Sequence, residues 1–124
     1  MPADVTYYGT HPLHDAVGVE IVAGKFVLAA GPAMGTVSGV NFTAAYTGVG
    51  VYTITLKKAY TALISGVVCL QQNTMGDQFA SLGAVDVVTA KTVVLNVWDI
   101  SGAAAADIAT DGSQSVNFYL VLQK

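Results

Sequence analysis

Arginine is missing from this chain of 124 residues, and charged residues of all kinds make up 10% of it. A typical soluble domain carries roughly 25%. Arginine is the side chain best suited to phosphates and base edges, so its absence, with a net charge of −3, argues against a nucleic-acid partner. Hydrophobic residues make up 53% of the chain, which leaves little polar surface for a small monomer. We therefore expect an oligomer.

Long hydrophobic runs are also missing. A membrane-spanning helix needs roughly 20 consecutive apolar residues, and here Gly, Ser, Thr, Asp or Lys interrupts each apolar stretch within a few positions. No basic segment followed by an apolar block marks a signal peptide. We expect a protein that is made in the cytoplasm and does not enter a membrane. The length fits one domain with a core that needs no disulfide.

Residues that could form a metal site or react as a thiol are scarce. Both histidines lie in His11-Pro12-Leu13-His14-Asp15, where a metal could in principle bind. Pro12 works against a helix there, and no third His or Cys is near, so we favour a solvated arm. The single cysteine, Cys69, lies in an apolar stretch and is predicted to be a small core residue.

Three carboxylates were candidates for a functional role. Asp86, between Val85 and Val87, is either a functional carboxylate or, as we favour, a residue that faces solvent or pairs with a lysine across strands. Asp107 and Asp111 flank a loop but lack the spacing of a calcium loop. The sequence shows no convergent set of titratable groups, so we predict that the protein is not an enzyme and uses no metal or cofactor.

Alternating apolar residues and turn signals run along most of the chain, whereas helical spacing is not sustained anywhere. They predict an all-β fold, an antiparallel β-sandwich of about eight strands. Residues 1–15 are predicted to form an irregular N-terminal arm, and residues 16–124 the sandwich domain. The predicted strands are 17–22 and 25–29 around a turn at 23–24, one or two strands in 36–46, then 51–56, a central strand at 63–71, 84–89, 92–98 and 114–124, with a loop at 72–77.

The segment 114–124 is the most informative of these strands. One face is wholly apolar and consists of Val116, Phe118, Leu120 and Leu122. The other face carries Tyr119 and Val121, although a strand with water on its second face usually shows polar residues there. We predict that the first face fills the sandwich. Tyr119 and Val121 are predicted to contact a neighbouring subunit.

Two segments resemble a known family. Gly50-Val51-Tyr52-Thr53-Ile54-Thr55-Leu56 is similar to the Gly-x-Tyr-x-(apolar)-x-(apolar) strand of trimeric jelly rolls of the tumour-necrosis-factor and complement type. The segment 116–122 resembles that family's closing strand, which packs near the threefold axis. The resemblance covers residues from about 36 to 124, and it implies a jelly-roll fold and a homotrimer. No collagen-like or coiled-coil stalk, which many members have, is present.

Phages reuse such folds in head decoration (cement) proteins, head fibres and tail-fibre tips, and the low charge and the abundance of Ala, Gly, Thr and Val resemble small phage head proteins. The resemblance implies a structural virion protein that binds the major capsid protein on the capsid surface. The predicted capsid contacts are Tyr7, Tyr8, His11 and Leu13 of the arm, and the predicted trimer contacts are Tyr119 and Val121. The alternative is a receptor- or glycan-binding tip of a tail fibre or spike. Its candidate residues are Trp98, Tyr60 and the loop 73–78.

Overall fold

The computed structural model describes residues 18–73, 76–102 and 104–124, and the predicted arm lies outside them. The described residues form nine strands: β1 (Val19–Ala29), β2 (Ala33–Gly39), β3 (Phe42–Gly48), β4 (Val51–Leu56), β5 (Ala62–Gln72), β6 (Gln78–Asp86), β7 (Thr92–Asp99), β8 (Ala104–Ala105) and β9 (Gln114–Gln123). Within these residues, no helix has the length and apolarity that crossing a membrane would require.

Two antiparallel sheets pack face to face, which confirms the predicted all-β sandwich. The first sheet has four strands in the order β2-β1-β9-β5. The second has the order β3-β4-β7-β6, with the short β8 beside β7. The antiparallel pair β1–β9 lies in one sheet and the pair β4–β7 in the other.

Alternate residues of the central strands fill the space between the sheets, as the twofold side-chain period of a strand requires. β4 buries Tyr52, Ile54 and Leu56, and β7 buries Val93, Leu95 and Val97. Aromatic pairs connect the two layers. The rings of Phe26 and Tyr52 lie 5.2 Å apart, and Phe42 meets Phe118 edge to face at 5.1 Å. Such pairs add about 0.5–1.5 kcal/mol each to the area that they bury.

The first strand differs from its prediction. The turn expected at Ala23-Gly24 is absent, and β1 continues through it. Gly24 faces the core, where a Cβ would lie 2.6 Å from Cε1 of Phe42 and 2.9 Å from Cζ of Phe118. Glycine is needed at this position to make room for two rings and does not mark a turn. Farther along the chain, β6 covers Gln78–Asp86, although the sequence predicted a strand at 84–89.

The strand β5 also corrects two predictions. It pairs with β9 on one side only and is therefore an edge strand, although a central position was predicted. Val68 and Leu70 pack against the core. Cys69, between them, points away from the core and is exposed, so its predicted core position is wrong.

Candidate functional site

Strand register aligns apolar side chains on the outer surface of the four-stranded sheet. Val121 lies between Ile21 of β1 and Ser65 of β5, and Tyr119 lies between Ala23 and Val67. Tyr119 is 44% exposed and Val67 is 43% exposed. We name this surface the apolar face, and it consists of Ile21, Ala23, Val67, Tyr119 and Val121. Ile64, also exposed, lies at the nearby bulge of β5.

The structure places both predicted trimer contacts, Tyr119 and Val121, on this outer surface. Tyr119 is exposed and Val121 is half-buried. The residues that alternate with them, Phe118, Leu120 and Leu122, are buried in the core. The two faces of the closing strand are therefore divided as the sequence predicted. The contact of Tyr119 and Val121 with a neighbouring subunit stays a prediction.

A polar cluster adjoins the apolar face. Lys25 Nζ donates a hydrogen bond to Gln71 Oε1 at 3.2 Å, and Ser115 Oγ and Asn117 Nδ2 lie 3.4 and 3.5 Å from the same oxygen. Lys25 is the one charged residue at the outward positions of β1, β5 and β9. Lys25, Asn117 and Cys69 lie in one row across the three strands, next to the row of Tyr119 in the apolar face. A partner on this surface would meet apolar side chains at one end and amides at the other, which would fix its orientation.

Tyr60 belongs to the core, so its predicted role as a surface aromatic is wrong. It is 5% exposed, and its hydroxyl donates a hydrogen bond to Glu20 Oε2. Lys58 Nζ lies 3.1 Å from the same oxygen. The hydrogen bond from Tyr60, with Lys58 as a smaller contribution, holds the pKa of Glu20 below its usual range. Burial, and then the bond to Glu20, raise the pKa of Tyr60 well above its usual value.

Asp107 connects two loops through side-chain hydrogen bonds. Its Oδ1 accepts a hydrogen bond from the Gly50 N–H at 2.8 Å, and its Oδ2 accepts one from the Tyr46 hydroxyl at 3.1 Å. Gly50 has a φ of 66°, and a Cβ there would lie 2.5 Å from the Val97 carbonyl oxygen. Nearby, burial raises the pKa of Tyr52 to about 12, and its hydroxyl accepts a bond from the Ile108 N–H. These groups hold the β3–β4 turn against the segment that precedes β9.

The other candidate carboxylates also bind backbone groups. Asp86 is exposed, as we favoured, and accepts a hydrogen bond from the Thr89 N–H at 3.0 Å, which closes the turn between β6 and β7. Asp111 accepts one from the Ser113 N–H at 2.9 Å. Among the residues that the structure describes, no three His, Cys, Asp or Glu side chains gather as a metal site. His11, His14 and Asp15 lie outside the described residues.

A surface aromatic pair lies on the second sheet. Phe79 of β6 and Trp98 of β7 stand directly opposite each other, with ring centroids 6.4 Å apart and ring planes within 15° of parallel. Phe79 is 46% exposed. A cavity of about 480 Å³ lies beside Phe79, between the open edges of β5 and β6, and is also lined by Val68, Cys69, Leu70, Gln72, Gln78 and Ala80.

The sequence identified Trp98 and the loop 73–78 but missed Phe79. The signal was available, since recognition of a strand beginning at Gln78 would have paired Phe79 with Trp98. The structure does not bring Tyr60 to this pair. Tyr60 follows the Leu56 end of β4, whereas Trp98 lies beyond the Val51 end.

The predicted capsid contacts, Tyr7, Tyr8, His11 and Leu13, lie outside the described residues. Comparison of the chain with protein-family models, with curated proteins and with solved structures finds no match.

Proposed function

We propose that the protein is a homotrimeric structural protein of a virion, which binds the outer surface of a phage head and stabilises it. The observation that carries the self-association is the apolar face. Tyr119 and Val67 are both more than two-fifths exposed there, and Lys25 is the only charge on the outward positions of the three strands that form this surface. Contiguous exposed apolar surface on a soluble protein marks an interaction site.

The proposals of a trimer and of a phage head as its binding partner rest on the family resemblance of the segments 50–56 and 116–122. A threefold axis beside β9 would bring three copies of the apolar face together and remove their side chains from water. The arrangement of the described carboxylates supports a structural role, because Asp86, Asp107 and Asp111 each bind the backbone of a turn or loop.

Multivalent attachment is the proposed mechanism. A rigid trimer presents three copies of one weak contact to neighbouring capsid subunits, and the second and third contacts then form at a high effective concentration. Tyr7, Tyr8, His11 and Leu13 would supply that contact, since aromatic anchors dominate the energy of many interfaces. The major capsid protein is the proposed partner.

Light scattering tests the trimer. We expect a mass three times the 12.7 kDa of the chain at micromolar concentration. A stable monomer under these conditions would contradict the proposed trimer.

Sedimentation with empty phage heads that lack a decoration protein tests the partner. The full chain should sediment with the heads, and a variant without residues 2–14 should remain a trimer and stay in the supernatant. If the truncated variant still decorates the heads, the arm is not the capsid contact. Binding to host cells but not to heads would favour the tail-fibre tip instead.

A further inference from the structure

We propose that Phe79 and Trp98 form a stacking platform for a neutral saccharide. The platform consists of Phe79, Trp98 and Ala105, and it lies on the outer surface of the second sheet. It is therefore separate from the apolar face, which lies on the other sheet, and the proposal does not depend on the trimer.

The first argument is the space beside the indole ring. Trp98 pairs with Phe79 on β6 and with Ala105 on β8. Directly opposite residues in antiparallel strands point to the same side of a sheet, so these three side chains form one row. Phe79 flanks the indole with a nearly parallel ring, whereas Ala105 offers only a methyl group and is exposed. This leaves a shelf over Ala105, against the indole, where a pyranose ring can lie.

The second argument is that the platform is held in place before a ligand binds. Trp98 Nε1 donates a hydrogen bond to Ser81 Oγ at 3.1 Å, which fixes the orientation of the indole. The ring of Phe79 is 46% exposed and already lies parallel to it. Binding therefore needs little ordering of side chains, and that ordering is one of the main costs of association.

The third argument is charge. The outward positions of β6 and β7 beside the rings hold uncharged side chains, among them Ser81 and Asn96, which lie directly opposite each other. Asp99, which follows Trp98, points to the opposite side of the sheet, as the alternation of side chains along a strand requires. No lysine lies at these outward positions to pair with a phosphate or an acidic sugar, whereas hydroxyl and amide groups can exchange hydrogen bonds with sugar hydroxyls.

Together these features match a ligand with a flat C–H face and a ring of uncharged hydroxyl groups. Nucleotides also stack on aromatic rings, but their phosphate would find no lysine at the outward positions of β6 and β7. The neutral saccharide is therefore the ligand class that fits both the rings and the uncharged side chains beside them.

The chain contains one tryptophan, so tryptophan fluorescence, excited at a wavelength that the tyrosines do not absorb, reports on this platform alone. We would titrate the full chain with cellobiose, maltose and N,N′-diacetylchitobiose, and in parallel with glucose 1-phosphate and thymidine monophosphate. We expect a saturable change with at least one neutral disaccharide and none with the two phosphates. Phe79→Ala should weaken that binding at least tenfold. Ala105→Leu should do the same, because it fills the shelf and leaves both rings in place.

Val85→Ala is the matched control, since Val85 is an exposed residue of the same strand at the end away from Trp98. It should bind as the unchanged protein does. Thermal unfolding of each variant checks that it is folded, and Ala105→Leu carries the test alone if Phe79→Ala does not fold. Absence of a saturable change with all three disaccharides up to about 10 mM would overturn the proposal. Binding by Ala105→Leu as tight as that of the unchanged protein would refute the shelf. Tighter binding of a phosphate than of the disaccharides would refute the ligand class.

Discussion

Replacement of Tyr119 by Asp places a carboxylate in the middle of the apolar face. Tyr119 is 44% exposed, and an aromatic side chain of roughly 200 Å² then leaves about 90 Å² for a neighbour to cover. At about 25 cal/mol per Å², this is about 2 kcal/mol for each subunit, or roughly 7 kcal/mol when three copies are covered in a trimer. Each 1.4 kcal/mol is a factor of ten, so the trimer association constant should fall by about 10⁴–10⁵-fold.

Sedimentation velocity over a series of protein concentrations measures this effect. The unchanged protein should sediment as a trimer and Tyr119→Asp as a monomer. Because the ring is already exposed in the single subunit, the variant should stay folded by circular dichroism, with a loss of about 1 kcal/mol at most from strand propensity.

Thr43→Asp is the matched control. Thr43 is exposed on β3 of the other sheet, so this change adds the same charge away from the apolar face. It should sediment as the unchanged protein does. A trimer that survives Tyr119→Asp would refute the assignment of the interface. Equal dissociation of Thr43→Asp would show that net charge, rather than the apolar face, controls assembly.

Three further predictions concern the sandwich itself. Asp107→Ala leaves the buried Gly50 N–H without its acceptor and should lower the free energy of unfolding in urea by about 1–3 kcal/mol; a change within experimental error would show that another group accepts this bond. Gly24→Ala pushes a methyl group against the ring of Phe42 and should cost about 1–3 kcal/mol in the same assay, and an unchanged midpoint would contradict the close packing. The folded state lowers the pKa of Glu20 from its ordinary value of 4.5. The unchanged protein should therefore be more stable than Glu20→Gln above pH 4.5, and this difference in the free energy of unfolding should be lost as the pH falls through the lower, folded pKa. A difference that persists in acid would contradict the ionic contribution.

The strands that alternate cleanly were predictable from sequence. Val51–Leu56 and Gln114–Gln123 each bury one set of alternate residues, and the twofold period of a strand shows directly which set that is. The division of Phe118 from Tyr119 follows from this period alone. The apolar face could therefore be located in part before the structure, through Tyr119 and Val121.

Most of the wrong predictions depended on a partner that is distant in the chain. Gly24 is a strand residue because two rings from other strands occupy the place of its side chain. Tyr60 can be buried because Glu20, forty residues earlier, accepts a hydrogen bond from its hydroxyl. Cys69 lies in a nearly continuous apolar run, where no alternation shows which face is buried. The positions of Ile21 and Val67 in the apolar face could be assigned only from the register of β1 and β5 with β9.

The position of β9 between β1 and β5 also determines how late in synthesis the first sheet can form. Val19 pairs with Gln123, and Ala62 pairs with the same residue from the other side. Both inner pairings of this sheet therefore wait until residues 114–123 have been synthesised, whereas β3, β4, β6 and β7 can pair earlier. Contacts this distant in sequence are slow to form. Chains interrupted before β9 lack Tyr119 and Val121 and therefore cannot build the apolar face.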